Sequence, residues 1–225
     1  MRSALLFALS LTLAVLGGAG CKKHVVPSGP KLHLELVALD DFASPFDGAV
    51  AAPSLDLMNE TVGMVSSRHR VSYARLRILP GDEPKTVERR LRGSVASIPL
   101  PAGDRFAFGR SNEGDAPAVR TYLVRGSPVL TEADVASAKV TVDADTNHAV
   151  VLVTLTARGS AAFESFTATN IGHRLAIIID DVVQTAPVIQ SKIGGGVLQV
   201  SLGQLDPTAE RVEADRLAAG FGGDP

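Results

Sequence analysis

Hydrophobic and polar positions along this chain alternate in short stretches, with helical spacing in only a few places. Residues 32–37, Leu-His-Leu-Glu-Leu-Val, step between apolar and polar and predict a strand. Residues 41–53 are rich in Pro, Gly, Ala and Asp and read as a loop. Residues 71–78 alternate well and predict a second strand, stopped by the turn Pro80-Gly81-Asp82. Residues 86–92 predict a short helix with Glu88, Arg89, Arg90 and Arg92 outside. Residues 95–98, 105–108 and 120–124 read as short strands separated by Gly and Pro.

The second half is more regular. Thr131 predicts a cap on a helix over 132–135, with Glu132 and Asp134 in the first turn, where acidic groups suit the positive end of the helix. Residues 139–143 alternate, and residues 149–156 are apolar and β-branched. With the turn Asp145-Thr146-Asn147 between them, they predict a hairpin. Gly159-Ser160 opens a helix whose apolar stripe is Ala162, Phe163, Phe166 and Ala168. Residues 175–180 predict a strand, turned by Asp180-Asp181 into Val182-Val183, and Pro187-Val188-Ile189 starts a further short element. Gly194-Gly195-Gly196 reads as a hinge or tight loop before a last strand at 197–201. Asp206-Pro207-Thr208 opens a final helix, with Val212, Leu217 and Ala218 inward and Gly220 beyond its end. Strands and helices mix without a repeat, so the predicted class is α+β, a mixed or antiparallel sheet with packed helices. A soft boundary near Gly126 divides a β-rich region, 32–125, from an α+β region, 126–225.

The N-terminus has its own pattern. Arg2 precedes an apolar run through Leu16, which is short for a membrane span and ends in Gly17-Gly18-Ala19-Gly20-Cys21. Small residues before the only cysteine resemble a bacterial lipobox, although Gly18 stands where Leu is usual. The resemblance implies a signal peptide over 1–20, lipidation at Cys21 and a lipidated linker over 21–31 containing Pro27, Ser28, Gly29 and Pro30. No later run reaches the roughly 20 apolar residues of a span. The mature protein is therefore expected to be tethered to a membrane rather than to cross it. Lys22 after the cysteine favours an outer-membrane address by the same resemblance, within an expected envelope location at either membrane, facing the periplasm.

Composition narrows the function classes. A net charge of −2 disfavours nucleic acid as a partner. Aromatic residues are 4% and Trp is absent, which leaves little for base stacking. A single cysteine excludes an internal disulfide. His24, His33, His69, His148 and His173 show no metal-ligand spacing, and neither a Gly-x-Ser-x-Gly elbow nor a P-loop is present. Asp40-Asp41, Asp143-Asp145 and Asp180-Asp181 sit in predicted turns, where Asp serves the backbone. The residues point to no enzyme, no cofactor and no metal.

An ordered set of short motifs runs from Tyr122-Leu123-Val124 through Pro128-Val129-Leu130-Thr131 and Phe163 to Thr169-Asn170-Ile171-Gly172-His173-Arg174-Leu175-Ala176-Ile177. It continues with Ala186-Pro187-Val188-Ile189, Ile193, Gly195-Gly196 and Leu217-Ala218. This set resembles the head of the first periplasmic domain in the SecD and SecDF protein-export family, over about 122–220. His173 departs from the family's usual Lys, and Asp181 from its usual Gly. The resemblance implies the head fold, and as partners the Sec translocon or nascent secreted polypeptide. It does not carry over the six membrane helices that follow this domain in SecD, and so not its motor. The motif residues Asn170, Gly172, Arg174, Ala186, Pro187, Gly195 and Gly196 are candidates for either a structural role or peptide contact. On physical grounds Gly172 ends a helix in a left-handed turn, His173 and Arg174 follow that end, and Pro187 ends a strand. The expected function is a lipid-anchored, non-enzymatic module that binds exported polypeptide or a Sec partner. The other reading is an envelope scaffold that keeps the fold without the export role.

Overall fold

The computed structural model describes residues 32–47, 55–64, 68–111, 116–143, 147–201 and 207–221. The signal, Cys21 and linker expectations lie outside these residues, as do Asp145, Thr146 and Asp206. The chain forms β1 (Leu34–Ala38), β2 (Asp56–Val62), β3 (His69–Arg77), α1 (Pro84–Val95), β4 (Asp104–Ser111), β5 (Ala118–Arg125) and β6 (Leu130–Thr131). A one-turn 3-10 helix (Glu132–Asp134) leads into β7 (Val135–Val142), β8 (Ala149–Leu155), α2 (Ala157–Thr169), β9 (Leu175–Ile179), β10 (Val182–Thr185), β11 (Val197–Ser201) and α3 (Pro207–Gly220). The class is α+β.

One sheet has the order β2-β3-β5-β4-β10-β9-β1-β6, and a smaller one the order β11-β8-β7. The large sheet joins strands from both sides of Gly126, which is a turn after β5. All the named pairings are antiparallel except β10 on β4. The sheet also curls. Past β1 the chain crosses to β5, through a bridge of Leu39 to Val124 and a hydrogen bond from Asp40 N–H to the Leu123 carbonyl at 2.9 Å. The strands β5, β4, β10, β9 and β1 thus form a ring. Val37, Leu39, Ala107, Val124, Ala176, Ile178 and Val183 pack together as its core.

β9 reads Leu-Ala-Ile-Ile-Ile and is buried throughout, because both its faces are covered. Ala176 and Ile178 join the ring's core. Leu175, Ile177 and Ile179 face the main core, with Leu34 and Leu36 of β1, Val151 and Val153 of β8, Phe163 of α2 and Leu217 of α3. A third cluster puts Val87 and Leu91 of α1 against Ala74, Leu76, Phe108 and Val119.

Several local expectations are corrected. Residues 95–98 are not a strand. Val95 follows Val87 and Leu91 at four-residue spacing and is the last core position of α1. The helix expected over 132–135 is only one 3-10 turn, closed by a capping box between Thr131 and Asp134, after which β7 begins at Val135. In α2 the third buried position is Thr167, not Ala168. The Thr167 hydroxyl donates to the Phe163 carbonyl at 2.9 Å and so can be buried at little cost. In α3, Leu217 and Ala218 are buried as expected, but Val212 is 65% exposed, its inward place taken by Ala214 and Glu210. Gly220 lies within that helix. Residues 187–189 form no strand beyond a bridge from Val188 to Arg174. The sequence of β2 carries no clean alternation to mark it as a strand.

Candidate functional site

The junction of β10 with β4 is short. It pairs Val182 with Phe108 and Val183 with Gly109, and there the register ends. The approach is close because residue 109 is glycine. A Cβ placed there would lie 2.6 Å from the Val183 carbonyl oxygen and 3.0 Å from Tyr122 Cε2. Beyond Gly109 and Val183 the strands diverge, and a polar cleft of about 360 Å³ opens in the wall of the ring. Arg110 lines it from β4, Arg120 and Tyr122 from β5, Gln184 and Thr185 from β10, and Glu60 from the end of β2.

A buried charge network forms part of this wall. Arg174 is 6% exposed. Its Nε donates to both oxygens of Asp41 at 3.0 Å, its Nη2 to Asp41 Oδ1 at 2.5 Å and its Nη1 to Glu60 Oε1 at 2.7 Å. Arg120 grips the same carboxylate, Nη1 to Oε2 at 2.9 Å and Nη2 to Oε1 at 2.5 Å. The Arg120 guanidinium lies over the Tyr73 ring at 3.6 Å and near the Tyr122 ring at 4.6 Å. Burial pushes the Glu60 carboxyl up, but Arg120 and then Arg174 outweigh it and hold it below the ordinary carboxylate range. Burial likewise opposes charge on both arginines, and their carboxylate partners overcome it. These ion pairs tie β2, β5 and the residue before β9 together in the wall of the cleft.

Nearby, Asp40 accepts from the Phe42 and Ala43 N–H groups at 3.0 Å each and pairs with Arg125. Burial raises its carboxyl, but these partners bring it below its ordinary value. Asp104 beside it is raised, by burial and by its contact with Asp40. Phe42, 63% exposed, stacks on His69 at 4.6 Å and meets His173 edge-on at 5.5 Å.

The motif residues separate into two places. Arg174 and Ala186 line the cleft. Gly172, with φ +89°, ends the α2 turn, and its N–H donates to the Ile189 carbonyl at 2.8 Å. Asn170 caps α2, its Nδ2 donating to the Phe166 carbonyl at 2.8 Å. Pro187 is exposed, and its carbonyl accepts from Leu175 N–H at 3.0 Å. Gly195 and Gly196 lie elsewhere, in a loop held against α2 by Lys192 to Glu164 at 2.7 Å and by Ile193 N–H to Thr167 Oγ1 at 2.9 Å. The Arg174 guanidinium is used on Asp41 and Glu60 rather than on the helix end. Asp41, read as a turn residue, is a buried ion-pair partner instead. Sequence reasoning missed Glu60 and Arg120 as well, because nothing local marks a carboxylate that pairs with arginines 60 and 114 residues away.

Among the described residues no group of three or more His, Cys, Asp or Glu side chains is placed to hold a metal ion. No helix there is long and apolar enough to cross a membrane. The site offers positive charge from Arg110 and a side-chain amide from Gln184 in a polar cleft, which suit binding.

Residues 109–219 match the family described as SecDF, P1 head subdomain. The chain is 32% identical over 111 residues to protein translocase subunit SecD of Calditerrivibrio nitroreducens, covering 48% of this chain and 22% of that protein. It is 33% identical over 153 residues to protein translocase subunit SecD of Magnetococcus marinus, covering 68% and 27%. A solved structure of SecDF, titled as a membrane component that enhances protein export, is 21% identical with a TM-score of 0.38 and covers 84% of this chain and 92% of its own. The chain thus spans about a quarter of the length of these two curated relatives. Arg110, Arg120, Arg174 and the β10 wall fall inside the matched segment, whereas Asp41 and Glu60 fall before it.

Proposed function

With residues 109–219 belonging to the SecDF P1 head subdomain family, we propose that this chain is a non-enzymatic module of protein export that binds extended polypeptide in the cleft between β4 and β10. The family match carries the export assignment. The cleft supports the binding role, because pairing between β4 and β10 stops at Gly109 and Val183 and leaves a polar cleft in which an extended segment can lie against the strands. The motif residues divide accordingly: Arg174 and Ala186 shape the cleft, and Asn170, Gly172 and Pro187 hold the turns behind it. Lipidation at Cys21 holds the module on the envelope membrane beside the translocon, a reading supported by the small residues preceding that cysteine.

The test is photo-crosslinking in cells from probes at Arg110 and Gln184, with a probe at the exposed Val212 as control and the adducts identified by mass spectrometry. Adducts to unfolded secretory chains or Sec subunits from the cleft probes, and not from position 212, are the expected result. If the cleft probes yield only mature envelope proteins, the export role fails and the scaffold reading replaces it.

A further inference from the structure

The charges around the cleft do not balance. Among the described residues, Arg110, Arg120 and Arg174 line the wall with Glu60, Asp41 lies behind Arg174, and Arg174 and Arg120 are the arginines that bind these two carboxylates. Arg110 is the exposed member of the three and sits where β4 leaves β10. Donors are in excess as well. A guanidinium carries five N–H groups. Arg174 directs its Nε–H and one hydrogen of each terminal nitrogen to Asp41 and Glu60, which leaves one N–H on each terminal nitrogen of a buried side chain in the cleft wall. The Gln184 amide makes only a long contact, 3.4 Å, to the Val182 carbonyl. Main-chain pairing between β4 and β10 stops at Gly109 and Val183, and the next residue on each strand, Arg110 and Gln184, lines the cleft.

We infer that this part of the cleft is a carboxylate site, receiving an acidic side chain or the terminal carboxylate of an extended polypeptide laid along β10. The inference rests on the polypeptide-binding reading above. The carboxylate accepts from Arg110 and from the remaining Arg174 donors, while the segment's main chain lies against the strands. Charge-assisted hydrogen bonds from arginine forks are the strongest that side chains offer a carboxylate. The same surplus of positive charge discriminates against lysine at that position.

The experiment uses the full chain in detergent and labelled ten-residue peptides of one extended scaffold, read by fluorescence anisotropy. The central residue is Glu, Gln or Lys, and each peptide is made as the free acid and as the C-terminal amide. The Glu amide, the Gln free acid, or both should bind about tenfold more tightly than the Gln amide. That preference should shrink as salt is raised. Whichever of the two gains identifies the source of the carboxylate. Arg110→Gln should reduce the ratio of carboxylate-peptide to Gln-amide binding to within about twofold, and Gln184→Ala should lower that ratio partially. Equal binding of all the peptides overturns the carboxylate site and leaves the polypeptide-binding reading standing. Absence of binding by every peptide overturns both.

Discussion

Replacing Arg174 with methionine keeps most of the side chain's length and removes its charge, leaving Asp41 without the guanidinium that holds it. Asp41 is 4% exposed, and both its oxygens accept from Arg174. Glu60 retains Arg120 and is less affected. Breaking a buried pair by removing one partner costs about 3–5 kcal/mol, because a carboxylate is left desolvated and unpaired. For a domain of this size that corresponds to a fall in melting temperature on the order of 10 °C. The assay is a double-mutant cycle by circular dichroism melts and urea titration, with Arg174→Met, Asp41→Asn and the double variant. Asp41→Asn removes the charge that Arg174→Met would strand, so the double variant should cost less than the sum of the singles by about 1–3 kcal/mol. If the singles add to within about 0.5 kcal/mol, or if Arg174→Met costs less than about 1 kcal/mol, Arg174 is not the keystone of the cleft wall and the reasoning is wrong.

Two further outcomes are expected. Gly109→Ala forces a methyl against the Val183 carbonyl, which is backbone and cannot swing aside. It should cost about 1–3 kcal/mol in urea titration, and amide exchange should rise at Val182 and Val183 before it rises in β8. Asp104 has its carboxyl raised above the ordinary 3.8 by burial and by its contact with Asp40. The stabilising contribution of its neutral form is complete below about pH 3.8 and is lost as pH rises through the folded value. Asp104→Asn should therefore be more stable than the parent at pH 7 and equal to it at pH 3. An advantage that persists at pH 3 would show that the effect is not one of ionisation.

Much of the second half is readable from sequence because its signals are local. β8 and β9 are apolar and β-branched, α2 carries Phe163 and Phe166 on one side, and Asp180-Asp181 makes the tight turn between β9 and β10 with positive φ at both residues. The first half is harder. In β2, Asp-Leu-Met-Asn-Glu-Thr-Val, the polar residues are Asp56, Asn59, Glu60 and Thr61, so no clean alternation marks the strand. Val95 looks like the start of a strand until the spacing from Val87 and Leu91 is counted. In α3, Val212 looks like core and Glu210 like surface, yet Glu210 is 1% exposed and bonded to His148 Nδ1 at 2.8 Å. The cleft is the least legible part. Its residues come from β2, β4, β5 and β10 and from the turn before β9, and charged side chains far apart in sequence give no periodic signal of the network they form.

The place of β1 has a consequence in time. Leu34–Ala38 lies between β6 and β9, so the first described strand to be synthesised ends up in the interior of the finished sheet. Its partners are Leu130, Thr131 and residues 175–179. At ordinary rates of synthesis the wait for β9 is on the order of ten seconds. Until then β1 has only β6 and the bridge from Leu39 to Val124 to pair with, and its β9 edge, the side of the five-residue pairing, stays open. A chain stopped before Leu175 is therefore an adhesive intermediate rather than a smaller version of the fold, and its apolar first strand needs shelter until the later strands arrive.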